Sequence, residues 1–251
     1  MHVRSVAWAS ASMAVLTLLA GACSGASSDR SSSSSPTTTR GTATMTSAPS
    51  APAGQDAPRR FKAEVWADNW FSLHVNGDVV GEDSVPITTE RSFNAETITF
   101  DATYPLTIAM VSKDFKENDT GLEYIGTDRQ QMGDGGFIAQ ITDTSTGKIV
   151  AVTGSDWRGL VIQRAPLDTA CEKSANPATD CTSASVAEPE GWTDASFDDA
   201  RWVAATTYTA DDVGAKDGYT EIDWDPAAKL IWTSSLEQDN TILWRFTVNA
   251  P

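Results

Sequence analysis

The chain has 251 residues, with 34 Asp and Glu against 18 Lys and Arg, and a formal net charge of −16 at pH 7. No basic stripe runs along it, which argues against nucleic acid and anionic lipid surfaces as partners and suits neutral or cationic ligands. Three cysteines and two histidines supply no second Cys/His pair for a zinc site.

Residues 1–22 carry Arg4, an apolar run over Met13–Ala20, and small residues ahead of Cys23. This is the layout of an export signal, too short and wrongly flanked to persist as a membrane-spanning helix. The stretch "LAGAC" resembles the lipobox of bacterial lipoproteins. That resemblance implies that Cys23 is lipidated, becomes the mature N-terminus, and holds the exported chain on the outer face of a bacterial membrane or cell surface. Ordinary cleavage near Ala22 is the alternative. Acyl anchoring contributes roughly 0.8 kcal/mol per buried methylene, so a multiply acylated cysteine holds firmly. Residues 23–59 are dominated by Ser, Thr, Ala, Pro and Gly without an apolar period, which predicts a disordered tether. About 35 residues of flexible coil span roughly 30–35 Å root-mean-square.

Residues 60–251 are enough for one domain with a real core. In "RFKAEVWADNWFSLHVNGDVVG", Phe61, Ala63 and Val65 alternate on one side, followed by Phe71, Leu73 and Val75. The pattern predicts two short strands split at Asp68–Asn69, then a hairpin at Asn76–Asp78. Further short apolar or β-branched runs follow: "TITF", "PLTIAMVSKDF", "GGFIAQITD", "GKIVAVTG", "LVIQRA", "AKLIW" and "ILWRFTV". None keeps a helical period for three turns. The fold class is all-β, an antiparallel β-sandwich or jelly roll. Cys171 and Cys181 form an even pair in an exported chain and predict a disulfide closing "CEKSANPATDC".

The order of these segments, "VWADNWFSLHVNGDVVG", "YPLTIAMVSKDF", "GDGGFIAQI", "VTGSDWRGLVIQRAP" and "GWTDASFDDARWVAA", resembles the galactose-binding-like sandwich domains that accompany α-L-rhamnosidases and related glycosidases. The resemblance implies a galactose-binding-like sandwich and a non-catalytic module for a carbohydrate or surface glycan. Glu117–Met132 and the disulfide loop have no counterpart in it.

Within "GWTDASFDDARW" the adjacent acids Asp198 and Asp199 point to opposite faces of an extended chain, so they do not form a catalytic pair on one bond. A structural corner is expected, with Asp198 capping a short helical turn beginning at Asp199 or Ala200 and Phe197 and Trp202 pinning it to the sandwich. His74 is out of phase with Phe71, Leu73 and Val75 and is expected to face away from their apolar side. No phosphate loop, zinc motif or nucleophile elbow is present. No cofactor is required, although calcium suits the oxygen-rich stretch "DFKENDTGLEYIGTDRQQMGDGG". Its candidate ligands are Asp114, Asp119, Asp128 and Asp134; the alternative is a solvated acidic loop.

The tryptophans point to a ligand. Trp70, beside Asp68 and Asn69, and Trp224, flanked by acids in "EIDWDPAAK", read as the least buried and as candidate sugar platforms. The ligand-binding set is therefore Asp68, Asn69, Trp70 and Trp224. An envelope protein with a polypeptide partner is the second reading, and a hydrolase using dispersed loop carboxylates is the third.

Overall fold

The computed structural model describes residues 57–88 and 92–251. The export signal, Cys23 and nearly all of the tether lie outside the described residues. In chain order the strands are β1 (Arg59–Asp68), β2 (Trp70–Val75), β3 (Asp78–Glu82), β4 (Ala95–Ala102), β5 (Leu106–Lys113), β6 (Leu122–Glu123), β7 (Gln131–Met132) and β8 (Gly136–Asp143). They continue as β9 (Lys148–Val152), β10 (Arg158–Arg164), β11 (Ala184–Ser185), β12 (Val203–Ala204), β13 (Thr206–Tyr208), β14 (Leu230–Trp232) and β15 (Asp239–Val248). The α-helices of the described residues, α1 (Pro177–Asp180) and α2 (Ala210–Val213), have four residues each.

One sheet runs β13-β14-β8-β1-β4, with β9 also on β8; the other runs β11-β10-β15-β5-β2-β3, with β12 also on β10. Pairing within both is antiparallel. Period-two alternation aims Phe61, Ala63, Val65 and Ala67 from β1 at Phe71, Leu73 and Val75 from β2, and these share one core with Phe137, Ile242 and Trp244. The chain is an antiparallel β-sandwich. Asp68–Asn69 is where it passes from one sheet to the other, and Asn76–Gly77 forms the β2–β3 hairpin, with Asn76 at φ 54° and Gly77 at φ 93°.

Both sheets are also covered on their outer faces. Trp66, out of phase with the β1 core set, packs with Ile138, Val213 and Leu230 beneath the 209–228 excursion. Ala109 and Val111 of β5 lie beneath Trp192 and Trp202. This double covering explains why β5 reads as a nearly continuous apolar run instead of an alternating one.

The corner at 191–202 forms, but as a series of turns and not with the expected helical turn. The Asp198 side chain accepts from the Ala200 backbone N–H at 3.0 Å. Its organising group is Arg245 of β15, which the sequence reading did not single out. Arg245 is 2 % exposed. Its Nε donates to Asp199 (2.9 Å), and its other nitrogens donate to the carbonyls of Trp192, Asp194 (3.1 Å) and Phe197 (3.5 Å). His74 faces away from the core as expected, against the Trp192 ring and 3.2 Å from the Ser72 hydroxyl.

Candidate functional site

A polar cleft of about 370 Å³ opens at the end of the sandwich where β1 crosses to β2. Four separate segments meet there. The crossover contributes Asp68 and Asn69, the segment before β4 contributes Phe93, the β6–β7 excursion contributes Glu123, Tyr124, Arg129 and Gln131, and Asp134 and Lys216 complete the wall.

Each piece is held by identifiable contacts. Asn69 is tied to the end of β5: its backbone N–H donates to the Lys113 carbonyl (2.9 Å), and its side-chain oxygen accepts from the Phe115 N–H (2.6 Å). The Phe93 carbonyl accepts from the Trp66 indole (3.0 Å) and the Gly218 N–H (2.9 Å). Gln131 donates to Glu123 across the β6–β7 pair at 3.2 Å. Tyr124 sits in the left-handed region at φ 50°, a conformation costly for an aromatic residue that persists only where its surroundings impose it.

The β6–β7 wall is braced from behind. The Cys171–Cys181 disulfide is formed, with S–S 2.04 Å, and both sulfurs' residues pack on Leu122 with Ile125 and Met132. Gln130 donates to the carbonyls of Glu172 (2.7 Å) and Ser174 (2.9 Å) in the disulfide loop. Gly121, at φ 72°, lies so close to Ala165 that a Cβ would stand 2.2 Å from its carbonyl oxygen. Replacing both cysteines by serine is expected to lower stability by about 2–3 kcal/mol, the loop-entropy contribution of a short bridge. Urea denaturation measures the loss, and amide exchange should accelerate over 122–132. Unchanged exchange there would dissociate the bridge from the wall.

Negative charge concentrates at the floor. Asp68 is 3 % exposed, and burial, reinforced by Asp134 and Glu123 and opposed by Lys216, pushes its carboxyl well above the ordinary carboxylate range. Asp114 is fully buried behind Gly133, whose Cβ would fall 2.3 Å from its carboxylate. Burial first, then repulsion from Asp68, Glu123 and Asp134, raises Asp114 in the same way. Asn240 donates to one Asp114 oxygen at 3.3 Å; among the described residues the other Asp114 oxygen and the Asn240 carbonyl oxygen have no hydrogen-bond partner. Asp134, at the exposed rim, is raised by desolvation and Glu237, with Lys216 opposing. The cations sit on aromatic faces: Arg129 is 4.1 Å from the Tyr124 ring centre, and the Lys216 nitrogen is 4.0 Å from that of Phe93.

The expected site residues are divided by this geometry. Asp68 and Asn69 line the cleft; Trp70 and Trp224 do not. Leaving the crossover, Trp70 turns onto the outer face of the β2 sheet beside Trp192 and Trp202, with the Lys113 nitrogen 4.7 Å above its ring. Trp224 is on the outer face of the other sheet, stacked on Tyr219 (6.0 Å) and donating its indole N–H to the Tyr219 carbonyl (2.9 Å). Both are half-buried, less so than the core tryptophans, as read from the sequence.

The acidic ligand set also comes apart. Asp119 is exposed and paired with Lys116 at 2.5 Å, Asp128 is exposed elsewhere on the excursion, Asp134 is at the rim, and Asp114 is behind the wall. Among the described residues no three His, Cys, Asp or Glu side chains are arranged to hold a metal ion. These acids are distributed because the excursion spreads them over both sides of its hairpin.

Comparison with families of known proteins, with curated proteins and with solved structures finds no match to this chain.

Proposed function

We propose that this is an exported, lipid-anchored surface module that binds a carbohydrate or surface glycan in the cleft between Asn69, Phe93, Tyr124 and Lys216, without chemical turnover. The observation carrying this reading is the cleft's composition. Two aromatic rings, Phe93 and Tyr124, share it with the planar polar side chains of Asn69, Glu123 and Gln131. Pyranoses present apolar faces and directional hydroxyls, which rings and fixed amides or carboxylates match. The anchor is supported by the resemblance of "LAGAC" to a lipobox, with Cys23 as the residue that would carry the lipid, and the Ser-, Thr- and Pro-rich residues after it support a tether.

A glycan array tests the reading, with Tyr124→Ala and Phe93→Ala as variants. Each should weaken binding roughly tenfold or more, the cost of losing a stacking ring of about 1–2 kcal/mol. A blank array together with co-purification of one envelope protein would transfer the function to a polypeptide partner. Anchoring is read separately, as membrane retention lost in Cys23→Ala.

Hydrolysis is the second reading, favoured by the presence of Asp68, Glu123 and Asp134 on one cleft. A buried, proton-holding acid beside other carboxylates has the form of an acid/base site. Release of reducing sugar from a bound glycan, abolished by Asp68→Asn, would establish it.

A further inference from the structure

We propose that the outer face of the β10–β15–β5 sheet carries a second binding site, for an extended peptide segment held through its backbone by Gln163. This surface is separate from the cleft and does not depend on the glycan reading. A hollow of about 480 Å³ opens there beside β11, within the range of roughly 300–1,000 Å³ typical of ligand sites. Strand register builds its floor. Ser185 of β11 pairs with Gln163 of β10, Gln163 with Thr241 of β15, Thr241 with Lys113 of β5, and Lys113 with Trp70 of β2. Paired residues on neighbouring antiparallel strands stand on the same face, and Trp70 is on the outer one. The first four members of this row line the hollow. The ladder shifts register on both sides of Gln163, and Gln163 and its neighbour Ile162 both reach the hollow, the re-aiming that a β-bulge produces.

Gln163 is the residue that points to a ligand. It is 7 % exposed, and among the described residues neither its side-chain oxygen nor its side-chain nitrogen has a hydrogen-bond partner. Asp114 borders the same hollow with a buried oxygen that is also unpartnered. Buried polar groups normally find partners, and leaving one without costs stability. A ligand that supplies both partners removes that cost. The outer torsion of a glutamine side chain is broad, so a modest rotation brings both amide atoms to the surface of the hollow.

The shape of the amide selects the ligand. It offers one acceptor and a donor side by side, and its match presents a donor and an acceptor along one edge. An extended peptide residue does this: its own N–H and C=O point to the same side, which is how paired residues in an antiparallel ladder exchange two bonds. A single trans amide, such as an acetamido group, sends its N–H and C=O in opposite directions and engages only one of the two Gln163 atoms. Ile87, Ile162 and Val186 border the hollow, Val186 at 58 % exposure. They offer aliphatic contact for a side chain next to the bound backbone.

Proton–nitrogen NMR correlation spectra of the intact chain observe the Gln163 NH₂ group directly. Three probes are titrated: the blocked tripeptide acetyl-Thr-Val-Thr-amide, the same peptide with its valine nitrogen methylated, and diacetylchitobiose. The tripeptide should shift the Gln163 NH₂ and the backbone amides of Ser185 and Thr241 at millimolar concentration. Methylation deletes the donor opposite the Gln163 oxygen and should weaken binding roughly tenfold or more, as expected when a buried acceptor is left unsatisfied. Gln163→Met keeps the length of the side chain and should bind both peptides equally and weakly. Val186→Asp, at an exposed position, should weaken the tripeptide without disturbing the fold, and it keeps the test decisive should Gln163→Met fold poorly. Diacetylchitobiose moving the Gln163 resonances as far as the tripeptide does would transfer the hollow to an acetamido sugar and overturn the peptide assignment. Equal binding of the two peptides by the parent chain, shifts confined to Phe93 and Tyr124 of the cleft, or no shift at Gln163 with any probe overturns the proposal. None of these results bears on glycan binding in the cleft, which the array reads by itself.

Discussion

Replacing Arg245 by alanine is expected to destabilise the domain by about 3–5 kcal/mol, because it strips several acceptors of their donor at about 1–3 kcal/mol for each one left unsatisfied. The guanidinium ties β15 to the 191–202 corner at several points, through Asp199 and through the Trp192, Asp194 and Phe197 carbonyls. Its loss leaves those acceptors without a donor and loosens Trp192 and Trp202, which cover Ala109, Val111 and Leu243. Lysine should recover little, because a compact ammonium cannot reproduce a planar fork that reaches four oxygens. Asp199→Asn should cost only about 1 kcal/mol, since it weakens one bond of a partly exposed carboxylate and leaves the carbonyl contacts intact. Urea denaturation of the three variants decides the matter, with near-ultraviolet circular dichroism reporting the tryptophans. Arg245→Ala costing no more than Asp199→Asn would show that the carbonyl contacts contribute nothing.

The contrast between Arg245 and its surroundings indicates what a linear sequence exposes. Alternation on β1 and β2 identified Phe61, Ala63, Val65, Phe71, Leu73 and Val75 as one inward set, because a strand's side chains alternate whatever its neighbours are. The Asn76–Gly77 hairpin and the Cys171–Cys181 pair were equally legible, since turn chemistry and loop closure are local. Arg245 was not, although a lone charge inside "ILWRFTV" is the kind of residue that needs a buried partner. Its partners lie 46–53 positions earlier in the chain.

The cleft was half legible for a related reason. Asp68 and Asn69 stood out through the turn signal between two apolar runs, and the long polar stretch between β5 and β8 stood out by lacking a counterpart. Long insertions between core strands are where binding groups concentrate. Phe93 and Lys216 carried no signal, because only the crossover and the 209–228 excursion bring them beside Tyr124. Trp70 was grouped with Asp68 and Asn69 by sequence proximity, yet it does not line the cleft that they line. The crossover at Asn69 moves the chain to the other sheet, so neighbours in sequence end on different surfaces.

Asp114→Asn is expected to stabilise the protein near pH 8 by about 1–3 kcal/mol, the cost of an uncompensated buried polar group, and to reduce its pH dependence. The sign follows from proton counts. An unfolded Asp loses its proton near pH 4, whereas burial keeps Asp114 protonated in the fold to well above that. The folded state therefore binds more protons, and stability falls as pH rises from about 4 through the folded value. Asp68 acts in the same direction, as does Asp83, which burial pushes up to about 6. Carboxylates held low, such as Asp143 by Ser145, act below about pH 4 and leave this window to the raised group. Asparagine carries no charge to bury. Its oxygen can keep the bond from Asn240, and its NH₂ supplies a donor beside the unpartnered Asn240 oxygen. Denaturation midpoints between about pH 4 and 8 should show a shallower decline for Asp114→Asn than for the parent. Asp83→Asn should flatten only the portion below the Asp83 titration. A parent chain whose stability rises across the whole interval would mean that Asp114 is ionised in the fold and neutralised by a partner.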